Sequence, residues 1–182
     1  MAGFDWFWKA MGGKQGRNQK RSLAIVDQAA ARVAKLNTRS DADLVARARE
    51  ITASGEVADA AEFLAILSIA ATRTLEMTPF PVQLQAVLRL LEGDVIQMAT
   101  GEGKTLVGAM ANTGFGLMGK RVHSVTVNDY LAARDAEWMG PLVKFFGLTV
   151  AAVTESMTTD ERRKAYKANI VYAPVNEIGF DV

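Results

Sequence analysis

The sequence has no cysteine among its 182 residues, and no apolar run in it reaches the length of a membrane span. The first absence excludes a disulfide framework and a cysteine-ligated zinc site. An excess of one charge is also lacking, because 21 basic residues face 20 acidic ones for a net charge of +1. Such a balance provides no overall field that would gather nucleic acid. Residues 1–11 lack the apolar core of a secretory signal, so we expect a protein that stays inside the cell.

Three conspicuous side chains have plain structural interpretations. The single histidine, His123, lies on a predicted strand with no acidic or cysteine neighbour at ligand spacing, so we expect neither metal binding nor acid–base catalysis there. Trp138 and Met139 lie in the middle of a predicted helix, where we expect core positions rather than a binding site.

The chain divides into two regions that differ in composition and in the spacing of their apolar residues. Up to about residue 78 the chain is rich in alanine, and apolar residues at helical spacing predict helices within 23–36, 44–51 and 63–75. Ser40 and Asp43 have the character of a helix start, and Pro79 and Pro81 mark the end of the region.

From about residue 79 onward, short apolar runs alternate with helical segments. We predict strands at 94–98, 122–127, 148–153 and 170–172, and helices at 84–91, 104–118, 129–146 and 159–168. Such alternation is typical of βαβ units, so we expect an α/β fold with a parallel sheet and flanking helices. Sheets of this kind bind ligands at the carboxyl ends of their strands.

The motif TGEGKT at residues 100–105 lies between a predicted strand and a predicted helix. Gly101 and Gly103 allow backbone N–H groups to curl around phosphates, and the helix start adds unpaired N–H groups. Lys104 supplies an ammonium for the β- and γ-phosphates, and the Thr105 hydroxyl is suited to Mg²⁺. The first glycine of the general pattern is replaced by Met98, as in helicase-type ATPases. The alternative is a chance Gly-Lys-Thr in a turn, which the strand and helix context disfavours.

Phe80 and Gln83 lie ahead of this loop. The amide of Gln83 carries a donor and an acceptor, so it is able to read the edge of adenine, and an aromatic ring nearby is able to stack on the base. A lone glutamine at a helix start is otherwise a solvated residue, and its spacing from the loop is what favours the functional interpretation.

Six segments of the chain carry a family resemblance. In chain order they are PFPVQ (79–83), MATGEGKTL (98–106), VTVNDYLA (125–132), RDAEWMGP (134–141), ERR with AY (161–166) and NEIGFD (176–181). In order and approximate spacing they resemble SecA, the motor ATPase of bacterial protein export. Ala99 and the stretch 174–178 are similar to the accessory SecA paralogues of actinobacteria. The resemblance implies a P-loop, helicase-type (RecA-like) fold preceded by a helical N-terminal region.

The resemblance also implies residue roles. Gln83 would read adenine, and the phosphates and Mg²⁺ of ATP would be held by Gly101, Glu102, Gly103, Lys104 and Thr105, with Lys104 and Thr105 as the catalytic pair. Residues that would couple nucleotide state to moving parts are Asn128, Asp129, Tyr130, Asn176, Glu177 and Gly179.

At the level of function, the resemblance implies an ATPase that moves unfolded preproteins through a SecYEG-type channel. It would be cytoplasmic and peripheral on the inner face of the plasma membrane, would touch anionic lipid and is compatible with a homodimer; nucleic acid is not expected as a partner. Two alternatives stay open here: a nucleic-acid helicase, and a non-catalytic nucleotide-binding module. Asp129 after the second strand would repel nucleic-acid phosphates, which disfavours the helicase.

We expect three segments: a basic, amphipathic N-terminus (1–21), a helical region (22–78) and the first part of a nucleotide-binding domain (79–182). A P-loop ATPase also needs an acidic residue at a strand end and usually an arginine finger. Asp129 follows a strand, but the resemblance places the acidic pair beyond Val182, so we expect hydrolysis only in a longer parent protein. In the N-terminal segment, the apolar face of Phe4, Phe7, Trp8 and Met11 suits either an anionic membrane or another domain of the same chain.

Overall fold

The computed structural model describes the backbone of residues 3–181 and the side chains of residues 19–180. Within this range the elements run in the order α1 (Gly3–Leu36), α2 (Asp41–Thr52), α3 (Ala60–Leu75), α4 (Pro81–Leu91), α5 (Lys104–Leu117), β1 (Val122–Thr126), α6 (Asp129–Phe145), β2 (Val150–Ala152), α7 (Thr159–Ala165), β3 (Ile170–Pro174) and α8 (Val175–Asp181). The helical first region and the alternating second region are therefore confirmed. The face formed by Phe4, Phe7, Trp8 and Met11 lies outside the described side chains.

Side-chain caps define where the first-region helices begin. Ser40 precedes α2 and its hydroxyl accepts a hydrogen bond from the backbone N–H of Asp43 at 3.2 Å, which confirms the predicted start. Asp59 does the same for α3 by accepting from Glu62 N–H at 3.0 Å. Each cap satisfies one of the N–H groups that the first turn of a helix leaves unpaired.

The sheet is parallel, as predicted, and its three strands in the described part of the chain have the order β1-β3-β2. The central strand, β3, is buried along its whole length, which suits a strand covered on both faces by helices. The α6 helix connects β1 to β2, and α7 connects β2 to β3.

The strand predicted at 94–98 is wrong. This segment is extended but joins no ladder among the described residues, and Val95 is 99% exposed. Its alternate residues Ile96 and Met98 still pack against the core. The physical reason is that an apolar alternating segment becomes a strand only when a neighbouring strand takes its backbone hydrogen bonds.

One hydrophobic core crosses the boundary at residues 78 and 79. It joins first-region side chains to second-region side chains in a single cluster, which includes Val26, Leu44, Phe63, Val87, Met110, Met139 and Phe146. The Arg49 guanidinium reinforces this contact by donating to the carbonyl of Phe146 at 3.0 Å. No helix among the described residues is both long and apolar enough to span a membrane.

Candidate functional site

The loop before α5 has the backbone shape that the motif predicts. Gly101 and Gly103 have φ values of 88° and 78°, in the left-handed region, and Gly103 is the residue that precedes the helix. A side chain at Gly103 would also collide with Gln83, because a Cβ there would lie 2.3 Å from the Gln83 amide nitrogen. Glycine is therefore favoured at Gly103 by the backbone conformation, and any side chain there would also displace the amide of Gln83.

In this structure, side chains of the loop 98–105 hydrogen-bond to the backbone of the same loop. The Lys104 ammonium donates to the carbonyls of Met98 and Ala99 at 3.1 and 2.7 Å. The Glu102 carboxylate accepts from the backbone N–H of Ala99 at 2.9 Å. The Lys104 ammonium, which the motif assigns to phosphate, therefore makes its hydrogen bonds within the loop. The same is true of the Ala99 N–H. A phosphate would have to replace these contacts.

Gln83 joins the start of α4 to the same loop. Its side-chain oxygen accepts from Phe80 N–H at 2.9 Å, and its amide nitrogen donates to the Glu102 carbonyl at 2.8 Å. The side chain is only 7% exposed. Gln83 is therefore not a solvated residue, and one lone pair and one N–H of its amide remain for a base.

An apolar cavity of about 360 Å³ opens beside the loop. Its lining includes Phe80, Gln83, Gly103, Thr105, Trp138 and Met139. The volume falls in the range of roughly 300–1,000 Å³ that is typical of small-molecule pockets. Met139 is fully buried, as expected, but Trp138 is 48% exposed, so its assignment to the core is wrong. The reason is that α6 turns Met139 into the core and leaves its neighbour at the cavity edge.

A second, smaller cavity of about 190 Å³ lies where the loop meets the strand ends; we call it the strand-end cavity. Lys104, Thr105, Thr126, Asp135 and Tyr172 contribute to its lining. It brings the start of α5 next to the carboxyl-terminal part of β1, where parallel sheets bind ligands. Burial raises the pKa of Tyr172 to about 12, so its hydroxyl is neutral at physiological pH. Sequence analysis did not single out Thr126, Asp135 or Tyr172 as lining residues, because only their placement beside Thr105 distinguishes them.

The residues that the family resemblance assigns to coupling nucleotide state to moving parts make contacts away from the two cavities. Asn128 caps α6 by accepting from Leu131 N–H at 2.9 Å, and Asp129 accepts from Glu155 N–H at 2.9 Å. Glu177 is buried and forms an ion pair with Arg162. Among the described residues that line the two cavities, none of these three is present. The coupling roles of these residues stay predictions.

The part of the chain that the structure describes contains no group of three or more histidine, cysteine or acidic side chains able to hold a metal ion. His123 is exposed, and its ring packs edge-on against Tyr166 at 5.8 Å between ring centroids. His123 therefore packs against an aromatic side chain.

A family model described as the SecA DEAD-like domain matches residues 7–182. The protein translocase subunit SecA 2 of Corynebacterium glutamicum (strain R) is 69% identical over 182 residues, which are 100% of this chain and 24% of the relative. The subunit of the same name from Corynebacterium diphtheriae is 67% identical over the same span and share. SecA 2 of Mycolicibacterium smegmatis is 53% identical over 178 residues, 97% of this chain and 23% of the relative. The chain thus spans about a quarter of the length of these curated relatives.

Proposed function

The chain belongs to the SecA family, and on this premise we propose that it binds Mg·ATP at the loop 98–105 as the nucleotide-binding front part of a protein-export motor. The observation that carries the proposal is the loop itself: left-handed Gly101 and Gly103 lead directly into α5, with Lys104 and Thr105 as its first two residues. A glycine-rich turn that leads into a helix N-terminus favours an anion such as phosphate, because the first turn of a helix has unpaired N–H groups and a partial positive charge.

Each residue of the loop would have its own task. The backbone N–H groups of the loop, freed by Gly101 and Gly103, would bind phosphate oxygens. Lys104 would move from the carbonyls of Met98 and Ala99 to the β- and γ-phosphates and stabilise the charge of the transferred group. Gln83 would read adenine with the lone pair and the N–H that its hydrogen bonds to Phe80 and Glu102 leave over.

The residues around Thr105 fit a hydrated Mg²⁺. The strand-end cavity is lined by Thr105, Thr126 and Asp135, whose hydroxyl and carboxylate oxygens are ligands of the kind that Mg²⁺ prefers, usually with several waters kept. One Asp135 oxygen already accepts from Arg134 at 2.9 and 2.6 Å, so Asp135 would contribute its other oxygen. Mg²⁺, when bound, neutralises charge on the phosphates. Within the chain itself, Thr105 is the residue we assign to hold it.

For the longer protein we propose the rest of the cycle. ATP binding and hydrolysis would drive unfolded preproteins through a SecYEG-type membrane channel from the cytoplasmic side, with contact to anionic lipid. The support is the printed name of the relatives, protein translocase, together with their 67–69% identity across this whole chain. The acidic strand-end residue and the arginine finger would come from outside residues 1–182.

Replacing Lys104 with alanine tests the proposal. In the full-length protein that carries this sequence, we expect Lys104→Ala to weaken ATP binding at least about tenfold, because a charge-assisted contact worth roughly 1.5–3 kcal/mol is removed. Isothermal titration with Mg·ATP measures it, and Lys120→Ala, at an exposed lysine outside both cavities, is the matched control. Equal affinity in the wild type and Lys104→Ala would refute the proposed site. Stimulation of ATP hydrolysis by RNA but not by preprotein and membranes would refute the motor function.

A further inference from the structure

Trp138 is the one large aromatic residue on α6 that reaches the apolar cavity beside the phosphate loop, within the lining that the structure describes. Its neighbour Met139 is fully buried, whereas half of the Trp138 surface stays in solvent. Phe80, which lines the same cavity from the start of α4, is 68% exposed. Two incompletely buried aromatic rings from separate elements therefore share one cavity.

The position of the apolar cavity beside the phosphate loop indicates which part of a nucleotide would occupy it. Its lining also contains Gly103 and Thr105, so it is continuous with the loop that would hold the phosphates. A nucleotide whose triphosphate occupies the loop has its base as the remaining flat, apolar part. Bases stack on aromatic side chains, and a stacked ring completes the burial of an exposed aromatic residue.

Gln83 already uses one acceptor and one donor of its side-chain amide within the protein. Its oxygen accepts from Phe80 N–H and its nitrogen donates to the Glu102 carbonyl, so one lone pair and one N–H remain. Most of the wall that the cavity offers to a base is aromatic or aliphatic. Stacking would therefore supply affinity, and the remaining hydrogen-bonding capacity of Gln83 would supply selectivity.

From this geometry we infer that Trp138 is a base-contacting residue that contributes stacking affinity for the nucleotide. The inference rests on the proposed function, since it requires ATP at the phosphate loop. It assigns a role to Trp138 that differs from that of Lys104: Trp138 acts on the base alone, and Lys104 acts on the phosphates.

The test compares a ligand that has a base with one that has none. ATP and inorganic tripolyphosphate, each with Mg²⁺, are titrated into the full-length protein by calorimetry. We expect Trp138→Ala to weaken ATP binding about tenfold, within the range that base stacking supplies, and to leave tripolyphosphate binding unchanged. Trp138→Phe should restore most of the ATP affinity. Glu137→Gln, at an exposed neighbour on α6 outside the cavity lining, should match the wild type for both ligands.

A fluorescence measurement gives a second readout. In a variant whose other tryptophans are replaced by phenylalanine, ATP should change the Trp138 emission and tripolyphosphate should not. Unchanged ATP affinity in Trp138→Ala would overturn the inference while leaving the proposed function in place, provided that Lys104→Ala still weakens ATP binding. An equal loss for ATP and tripolyphosphate would show a merely structural role and would also overturn it. Failure of the wild type to bind either ligand would instead overturn the proposed function.

Discussion

Glu102 accepts hydrogen bonds at the phosphate loop through two different groups, its side-chain carboxylate and its backbone carbonyl. Its carboxylate accepts from Ala99 N–H, and its backbone carbonyl accepts from the amide of Gln83. The family resemblance assigns Glu102 to phosphate binding, yet a carboxylate and a phosphate carry charges of the same sign. We therefore expect the backbone of Glu102 to serve the nucleotide and its carboxylate to compete with it for the loop N–H.

The variant Glu102→Gln separates these two contributions. Because the amide keeps the size of the side chain and removes its charge, ATP should bind more tightly, by roughly 1 kcal/mol for a single charge contact screened by water, or about fivefold. Titration of the full-length protein with Mg·ATP measures the change. Glu137→Gln removes an equal charge from an exposed site outside the loop and serves as control. Weaker ATP binding in Glu102→Gln would mean that the carboxylate assists the nucleotide.

At the scale of single residues, the sequence predicted which side chains surround the loop but not which hydrogen bonds they form. Lys104 and Gln83 were identified by motif and spacing. Their hydrogen bonds to Met98, Ala99, Phe80 and Glu102 depend on how the loop folds back, which residue types do not encode. Trp138 was misassigned for a similar reason, since helical periodicity places it beside a buried residue without showing that a cavity opens there.

At the scale of elements, Arg162 connects α7 to α8. Its guanidinium forms an ion pair with the buried carboxylate of Glu177 and also donates to the Glu155 carbonyl at 3.1 Å. The loop that precedes α7 is tied in turn to the start of α6 by the Asp129 carboxylate. Three helix ends at the carboxyl edge of the sheet are thus linked through charged groups, and Arg162 is central to that linkage.

Removing Arg162 should be costly because it leaves Glu177 buried without its cation. We expect Arg162→Ala to lower the free energy of unfolding by about 3 kcal/mol, the order observed when one partner of a buried pair is deleted. The neighbouring Arg163 pairs with Asp160 at 3.5 Å, and both side chains are exposed, so Arg163→Ala should change stability little. Urea unfolding of the two variants measures the contrast, and equal losses would contradict the structural role given to Arg162.

Helices were predicted more reliably than strands because the hydrogen bonds of a helix join residues close in sequence, whereas those of a strand join distant segments. The start of α2 follows from the local signal Ser40, because a helix satisfies its hydrogen bonds within its own segment. The helix predicted at 84–91 exists but begins three residues earlier, at Pro81. The segment 94–98 has the apolar character of a strand but lacks a ladder partner among the described residues. Strand formation depends on residues distant in the chain, which local pattern does not reveal.

At the scale of the whole molecule, the helical first region shares one hydrophobic cluster with helices α4–α6 of the α/β region, and the strands pack in two smaller clusters. The predicted boundary at residues 78 and 79 therefore passes through the shared cluster. Since removal of either side would expose the other side's buried residues, we expect both regions to unfold in one cooperative transition.

Acid should trigger that transition through the ion pairs of the first region. Arg47 donates to both carboxylate oxygens of Glu62, at 3.1 and 2.7 Å, and these hydrogen bonds lower the pKa of Glu62 below its ordinary value of 4.5. Burial is the largest single influence on the pKa of nearby Asp59 and works to raise it, but the hydrogen bond and charge of Arg32 together with backbone N–H groups of α3 outweigh burial, and the net shift is also downward. A depressed folded-state pKa contributes stability above the unfolded pKa, and that stability is lost as the pH falls through the folded value. The free energy of unfolding should therefore decrease as the pH drops below about 4.5.

Glu62→Gln should lower stability by roughly 1 kcal/mol at pH 7 and make the decrease below pH 4.5 shallower, because the variant has lost the group that titrates. Glu50→Gln removes an exposed partner of the same Arg47, 2.8 Å away, and should retain the wild-type pH dependence. Urea unfolding from pH 3 to 7 would be followed by far-ultraviolet circular dichroism, which reports the helices of both regions, and by Trp138 emission in a background with the other tryptophans replaced by phenylalanine, which reports the second region. Coincident transitions at every pH are expected from the shared core. An acid transition seen by circular dichroism alone would show that the first region unfolds independently, and a Glu62→Gln variant as acid-sensitive as the wild type would assign the effect to other carboxylates.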